Sequence, residues 1–176
     1  MRAAVIGFSL LLLIFASQLK AGEQIDASSI FEDWAAFFDE DLCWVASHPQ
    51  DADGEGYERV LLLISFFDGS SDFEVSFLSD DFINEDTNAT LHINDKSFDL
   101  LKHEDFLYLS RDNELEIFWA LFNETQTRLD LTQKMEVQVE LFISPDGFRA
   151  AYQYIVNNCS FNFHRLPKGN SVNIPT

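Results

Sequence analysis

Cysteine occurs only twice in this chain, at Cys43 and Cys159, and a bridge between them would enclose more than a hundred residues. A link of that span requires an early segment to lie against a late one, whatever the fold. In chain-entropy terms it would stabilise the folded state by about 4–5 kcal/mol. Two thiols pair readily in an oxidising compartment, and two free buried thiols are the alternative in a reducing one. The compartment therefore decides how the pair is read.

The first residues point outside the cytosol. Arg2 gives a short positive start, Val5 to Ala16 is mostly apolar, and small residues follow at Ala16, Ser17, Ala21 and Gly22. That order is the one a signal peptidase reads. The apolar run falls short of the roughly 20 residues a membrane-spanning helix needs. We expect cleavage after Ala21, giving a signal peptide over 1–21 and a single domain over 22–176. A retained anchor is the competing reading. In an exported chain Cys43 and Cys159 are expected to form a disulfide.

Charge narrows the partners. The formal net charge is −19, and loss of Arg2 and Lys20 with the leader takes it to about −21. Phosphate backbones are bound by clustered Lys and Arg, so neither nucleic acid nor direct contact with an anionic membrane is expected. Cationic partners or divalent ions suit such a surface better. The charge does not imply disorder, because 47% of residues are hydrophobic and 18 are Phe, which is ample for a core.

Periodicity then gives the fold class. Residues 23–33 read as a polar lead-in. Trp34 to Phe38 and Leu42 to Ser47 read as short strands. Val60 to Phe67 is almost continuously apolar and reads as a strand buried on both faces. Phe73, Val75 and Phe77 alternate with polar residues, as in a strand with one wet face. Weaker strands are expected over 89–93, 97–101 and 106–110. Leu115, Phe118, Trp119 and Phe122 share one helical face, with Asp112 or Asn113 as cap. Met135 to Ile143 alternates cleanly, and a second helix is expected over 147–157. The expected class is mainly β: an antiparallel β-sandwich with a short helix before the last strand and a C-terminal helix.

Two segments resemble the invasion-associated locus B family of bacterial envelope proteins. Cys43-Trp44-Val45-Ala46-Ser47-His48-Pro49 is similar to the family's Cys-Trp-x-Ala-Ser-x-Pro run, and follows a Trp-containing strand, here Trp34. Gly147-Phe148-Arg149-Ala150-Ala151-Tyr152, followed by Cys159, is similar to its closing Gly-Phe-x-Ala-Ala helix ending in Cys. Glu136, Glu140 and Ser144-Pro145-Asp146 stand where the family carries basic and Ser/Thr-Gly-rich residues. The resemblance covers roughly 34–163. It implies a periplasmic or surface-associated protein that binds an envelope or surface protein rather than catalysing a reaction. It brings no catalytic residues.

Candidate chemistry is sparse. Asp51, Asp53, Glu55 and Glu58, interleaved with Gly54 and Gly56, resemble part of a calcium loop but lack the final Glu at loop position 12 and the flanking helices. A solvated acidic loop is the alternative. The four histidines are scattered, and no Gly-x-Ser-x-Gly is present. Trp44 and Trp119 sit in apolar patterns and are expected in the core. Two rival functions stay open: a secreted hydrolase using paired acids, and a calcium-responsive structural module.

Overall fold

Leu62, Ile64 and Phe66 are fully buried, whereas Leu61, Leu63 and Ser65 between them are half-buried and Phe67 is exposed. Side chains alternate across a strand, so this segment has one face on the core and an apolar second face outside it. The expectation of burial on both faces is not met. The computed structural model describes residues 27–39, 41–79, 87–132, 138–162 and 166. The expected signal peptide, its cleavage point and residues 135–137 lie outside the described residues.

Two antiparallel sheets face one another. In chain order the strands are β1 (Ser29–Phe31), β2 (Trp34–Asp39), β3 (Leu42–Ser47), β4 (Leu61–Phe67), β5 (Phe73–Leu78), β6 (Asn88–Ile93), β7 (Lys96–Asp99), β8 (Leu101–His103), β9 (Phe106–Tyr108), β10 (Thr127–Thr132) and β11 (Gln138–Ile143). The helices are α1 (Glu114–Phe122) and α2 (Phe148–Asn158). The larger sheet runs β1-β2-β3-β4-β5-β9-β8 and the smaller β11-β10-β6-β7. Beyond Ser47 the chain reaches the smaller sheet, where Gln50 exchanges two backbone hydrogen bonds of 2.7 Å with Phe142. The sandwich is thereby laced at one edge.

One core fills the space between the sheets. Val45, Leu62, Ile64, Val75, Phe77 and Leu107 meet Leu91, Leu129, Leu131, Leu141 and Ile143 from the other side. Both helices pack on this inner side. In α2, Phe148 lies 4.9 Å from Trp34, and Tyr152 lies 4.9 Å from Phe118 of α1 between ring centroids. Phe118 also packs on Phe73, at 5.7 Å. Cys43 and Cys159 are bonded, tying β3 to the residue after α2 over a separation of 116 residues.

Several local expectations need correction. Ser29–Phe31, expected as polar lead-in, pairs with β2 because Glu32 takes a positive φ of 50° and reverses the chain. Thr127–Thr132 is a central strand that periodicity did not pick out; its signal was only Leu129 and Leu131 alternating with Arg128 and Asp130. Two strands rather than one therefore follow α1. The strand expected over 97–101 is two strands in different sheets, with Leu100 at the crossing. Asn113 starts α1, but its side chain bonds Ser110 at 2.8 Å and caps no backbone group.

Candidate binding surface

The register of the larger sheet determines which side chains share its outer face. Ile30 pairs with Ala35, Ala35 with Ala46, Ala46 with Leu63, Leu63 with Ser76, Ser76 with Tyr108, and Tyr108 with Leu101. Cross-strand partners point to the same side, so these seven residues form one uncharged row across all seven strands. Beside it run two more rows: Phe37, Trp44, Ser65 and Glu74, and Leu61, Leu78, Phe106 and His103. Six spacings of about 4.8 Å make the face about 29 Å wide.

These residues point away from the core, although the small Ala46 and Ser76 are buried among their neighbours. Phe37 and Trp44 stack with centroids 5.3 Å apart and planes 3° from parallel. Phe106 and Tyr108 stack at 5.8 Å. Ile30 is 73% exposed at one end of the long row, and Leu101 is 61% exposed at the other. A trough of about 450 Å³ opens between Ile30, Ala35, Phe37, Trp44, Ala46 and Leu61. Among the described residues, α2 and the strands of the smaller sheet pack elsewhere, and only the start of α1 reaches this face, at its β5–β9 edge.

The outer face of the smaller sheet has the opposite character. There the rows are Glu140, Asp130, Thr90, Asp99 and Phe142, Arg128, His92, Ser97. Arg128 bridges Asp130 at 3.0 Å and Glu140 at 2.7 Å, and His92 meets Asp130 at 3.0 Å. Thr90 donates to Asp99, and His92 bonds Ser97. A sandwich needs one apolar face per sheet. The smaller sheet keeps to that rule, while the larger one is apolar on both faces.

Acidic turns border the apolar face at both strand ends. Glu32, Asp33, Glu104 and Asp105 lie at one end, and Asp39, Asp41, Asp68 and Asp72 at the other. Asp33 accepts from the Gln50 amide and Asp72 pairs with Arg111 at 3.5 Å. Within the face, burial raises the Glu74 carboxyl above its ordinary value, and Arg111 partly opposes the shift.

A smaller polar cleft opens where β5, β9 and the start of α1 meet. Its walls include Asp72, Glu74, Tyr108, Arg111 and Glu114. Glu114 is only 6% exposed, and burial pushes its carboxyl up to about 7, with Glu74 and Asp72 adding repulsion. The Val75 backbone N–H and Arg111 act in the other direction. A carboxyl protonated near neutrality beside ionised ones can serve proton transfer. Here it is also the first residue of α1, where the helix dipole favours the ionised carboxylate.

The residues singled out from sequence separate into three groups. Gly147, Phe148 and Ala151 belong to the fold: Phe148 and Ala151 are fully buried, and Gly147 sits at φ 88° where a Cβ would lie 2.0 Å from the Phe31 carbonyl oxygen. Trp44 and Ala46 point outward in the apolar floor, whereas Ser47 and Pro49 are buried. Asp51 turns inward on its own loop, accepting from the Asp53 and Glu55 backbone N–H groups at 2.9 and 3.1 Å. Asp53, Glu55 and Glu58 are exposed, and no group of three metal-ligating side chains converges among the described residues.

The tryptophans reverse their expected places. Trp34, unassigned from sequence, is the buried one, donating from Nε1 to the Ser144 carbonyl at 2.9 Å. Trp119 is 39% exposed and Trp44 lies on the outer face. The apolar outer face itself was missed. Its signal was the unbroken run Leu61-Leu62-Leu63-Ile64, which leaves no polar side for solvent.

No family model matches the sequence, and no curated protein matches it. Among solved structures the chain is similar to invasion associated protein B from Bartonella henselae, with a TM-score of 0.51 at 10% identity. The likeness covers 73% of this chain and 95% of that one. At this identity it shows a shared fold alone.

Proposed function

We propose that this protein, sharing the architecture of a bacterial invasion associated protein, is exported and works by binding another protein through the outer face of its larger sheet. One observation carries the reading: an uncharged row spans all seven strands from Ile30 to Leu101 on a face that no described element covers. Contiguous apolar patches of this kind on soluble proteins mark interaction sites. The salt-bridged face of the smaller sheet provides the contrast within the same molecule. The disulfide and the leader-like start of the sequence support a life outside the cytosol.

Site-specific photocrosslinking in intact cells tests this. A crosslinker at Leu63 should yield one discrete adduct that disappears when Ile30 and Leu101 are both changed to Ser. A crosslinker at His92, on the opposite face, should yield none. Equal adducts from both positions, or an adduct at Leu63 indifferent to the double substitution, would remove the reading.

A hydrolase reading draws on the cleft at Glu114. Turnover of a glycoside panel, abolished in Glu114→Gln, would favour it. The binding reading is preferred because Glu114 is shut away from solvent and starts a helix.

A further inference from the structure

An apolar face surrounded by negative charge restricts what can lie on it. Three occupants compete: a second copy of this chain, a lipid surface, or a different protein. A second copy would set two bodies of formal charge −19 against each other, with the acidic turns at both ends of each sheet brought together. Screening at physiological salt extends only about 8 Å, so charges pressed edge to edge across an interface stay largely unscreened. An anionic lipid surface meets the same repulsion over a wide area. A protein with positive charge around an apolar stripe meets attraction at both strand ends.

Glu74 makes the argument local. It stands in the same row as Phe37, Trp44 and Ser65, half-buried, with Tyr108 beside it in the adjoining row. Covering the face would strip the remaining water from this carboxylate, and an uncompensated buried charge is expensive. A lysine or arginine carried by the occupant removes that cost. Arg111, at the edge of the cleft, already divides its charge between Asp72, at 3.5 Å, and Glu74.

Size agrees. The seven strands hold 34 residues, and at about 3.3 Å rise and 4.8 Å spacing each they give a projected area of roughly 540 Å² before side-chain relief is counted. A standard interface buries about 800 Å² on each partner, which the face and its turns together approach.

We propose that the occupant of this face is a cationic protein surface, an apolar stripe bordered by Lys or Arg, one of which meets Glu74. This deepens the docking reading above and rests on it.

The test uses the oxidised protein and three synthetic 12-residue peptides alternating Val with Lys, Ser or Glu, titrated by calorimetry in 0.05 and 0.5 M NaCl. The Lys peptide should bind at least tenfold tighter than the Ser peptide at low salt, and the Glu peptide should not bind. The Ile30→Ser/Leu101→Ser variant should lose at least fivefold for the Lys peptide, and Glu74→Gln about threefold. Ile30 and Leu101 are exposed, so this variant retains the fold. Equal affinity for the Lys and Ser peptides would overturn the cationic inference while leaving the docking face in place. Lys-peptide binding unchanged in the Ile30/Leu101 variant would show adhesion by charge alone and overturn the inference. Dimerisation abolished by the same variant, or binding to phosphatidylcholine vesicles abolished by it, would each assign the face to the other occupant and overturn it too. The Leu63 crosslink then reports separately on whether the face docks a protein at all.

Discussion

Phe37 and Trp44, opposed across β2 and β3, lie 5.3 Å apart with ring planes only 3° from parallel, and they do so on the outside of the sandwich. Aromatic pairs of this kind belong to cores and interfaces. With no described element above them, the pair matters little to folding. Trp44→Ser is expected to cost under about 1 kcal/mol in a urea titration, whereas Trp34→Ala, which empties the core beside Phe148, should cost about 3–5 kcal/mol. Comparable losses at the two positions would place Trp44 in the core.

Gly147 holds the β1–β2 turn against the start of α2. At φ 88° it occupies a region that favours glycine, and a Cβ there would meet the Phe31 backbone carbonyl at 2.0 Å. Gly147→Ala should destabilise the protein by about 3 kcal/mol or more, the strained conformation and the backbone clash both contributing. Hydrogen exchange should show lost protection at Ser28, whose N–H bonds Ala36.

The Cys43–Cys159 bond spans 116 residues. Replacing both cysteines by Ser should lower stability by about 4 kcal/mol on the loop-entropy scale. A urea midpoint unchanged in the double variant would show that core packing alone holds β3 to the end of α2.

Glu114 gives a pH signature. Its folded carboxyl titrates near 7, above the ordinary value of 4.5, so between these values the folded state holds a proton the unfolded state has lost. Stability must then fall as pH rises through that window. Each pH unit crossed between the two values costs up to about 1.4 kcal/mol. The loss therefore approaches roughly 3 kcal/mol by pH 8, and Glu74, raised in the same sense, adds to it. Glu114→Gln should flatten the thermal midpoint between pH 4.5 and 7 and exceed the native protein in stability at pH 8.

What could be read in the sequence follows from how local its cause is. Alternation over 73–77 and 139–143 and the helical spacing of Leu115, Phe118, Trp119 and Phe122 gave those elements directly, although the buried face of the helix is Ile117, Phe118 and Leu121, with Trp119 exposed. The short Ser29–Phe31 strand is held against β2 with Gly147 and Tyr154 packed on Phe31, a tertiary cause invisible in its own three residues. The Leu61–Leu63 run was visible as hydrophobicity, but burial and docking use the same residues. Only the pairing register placed Leu61 and Leu63 on the outside.

Docking on the outer face of the larger sheet requires that something cover it when the protein is at work. Hydroxyl-radical footprinting, comparing purified protein with protein in intact producing cells, measures this directly without knowing the partner. Labelling of Phe37, Trp44, Phe106 and Tyr108 should fall at least fivefold in cells, while Trp119, exposed elsewhere on the surface, should label equally in both. Equal labelling of all five residues in the two samples would contradict the account.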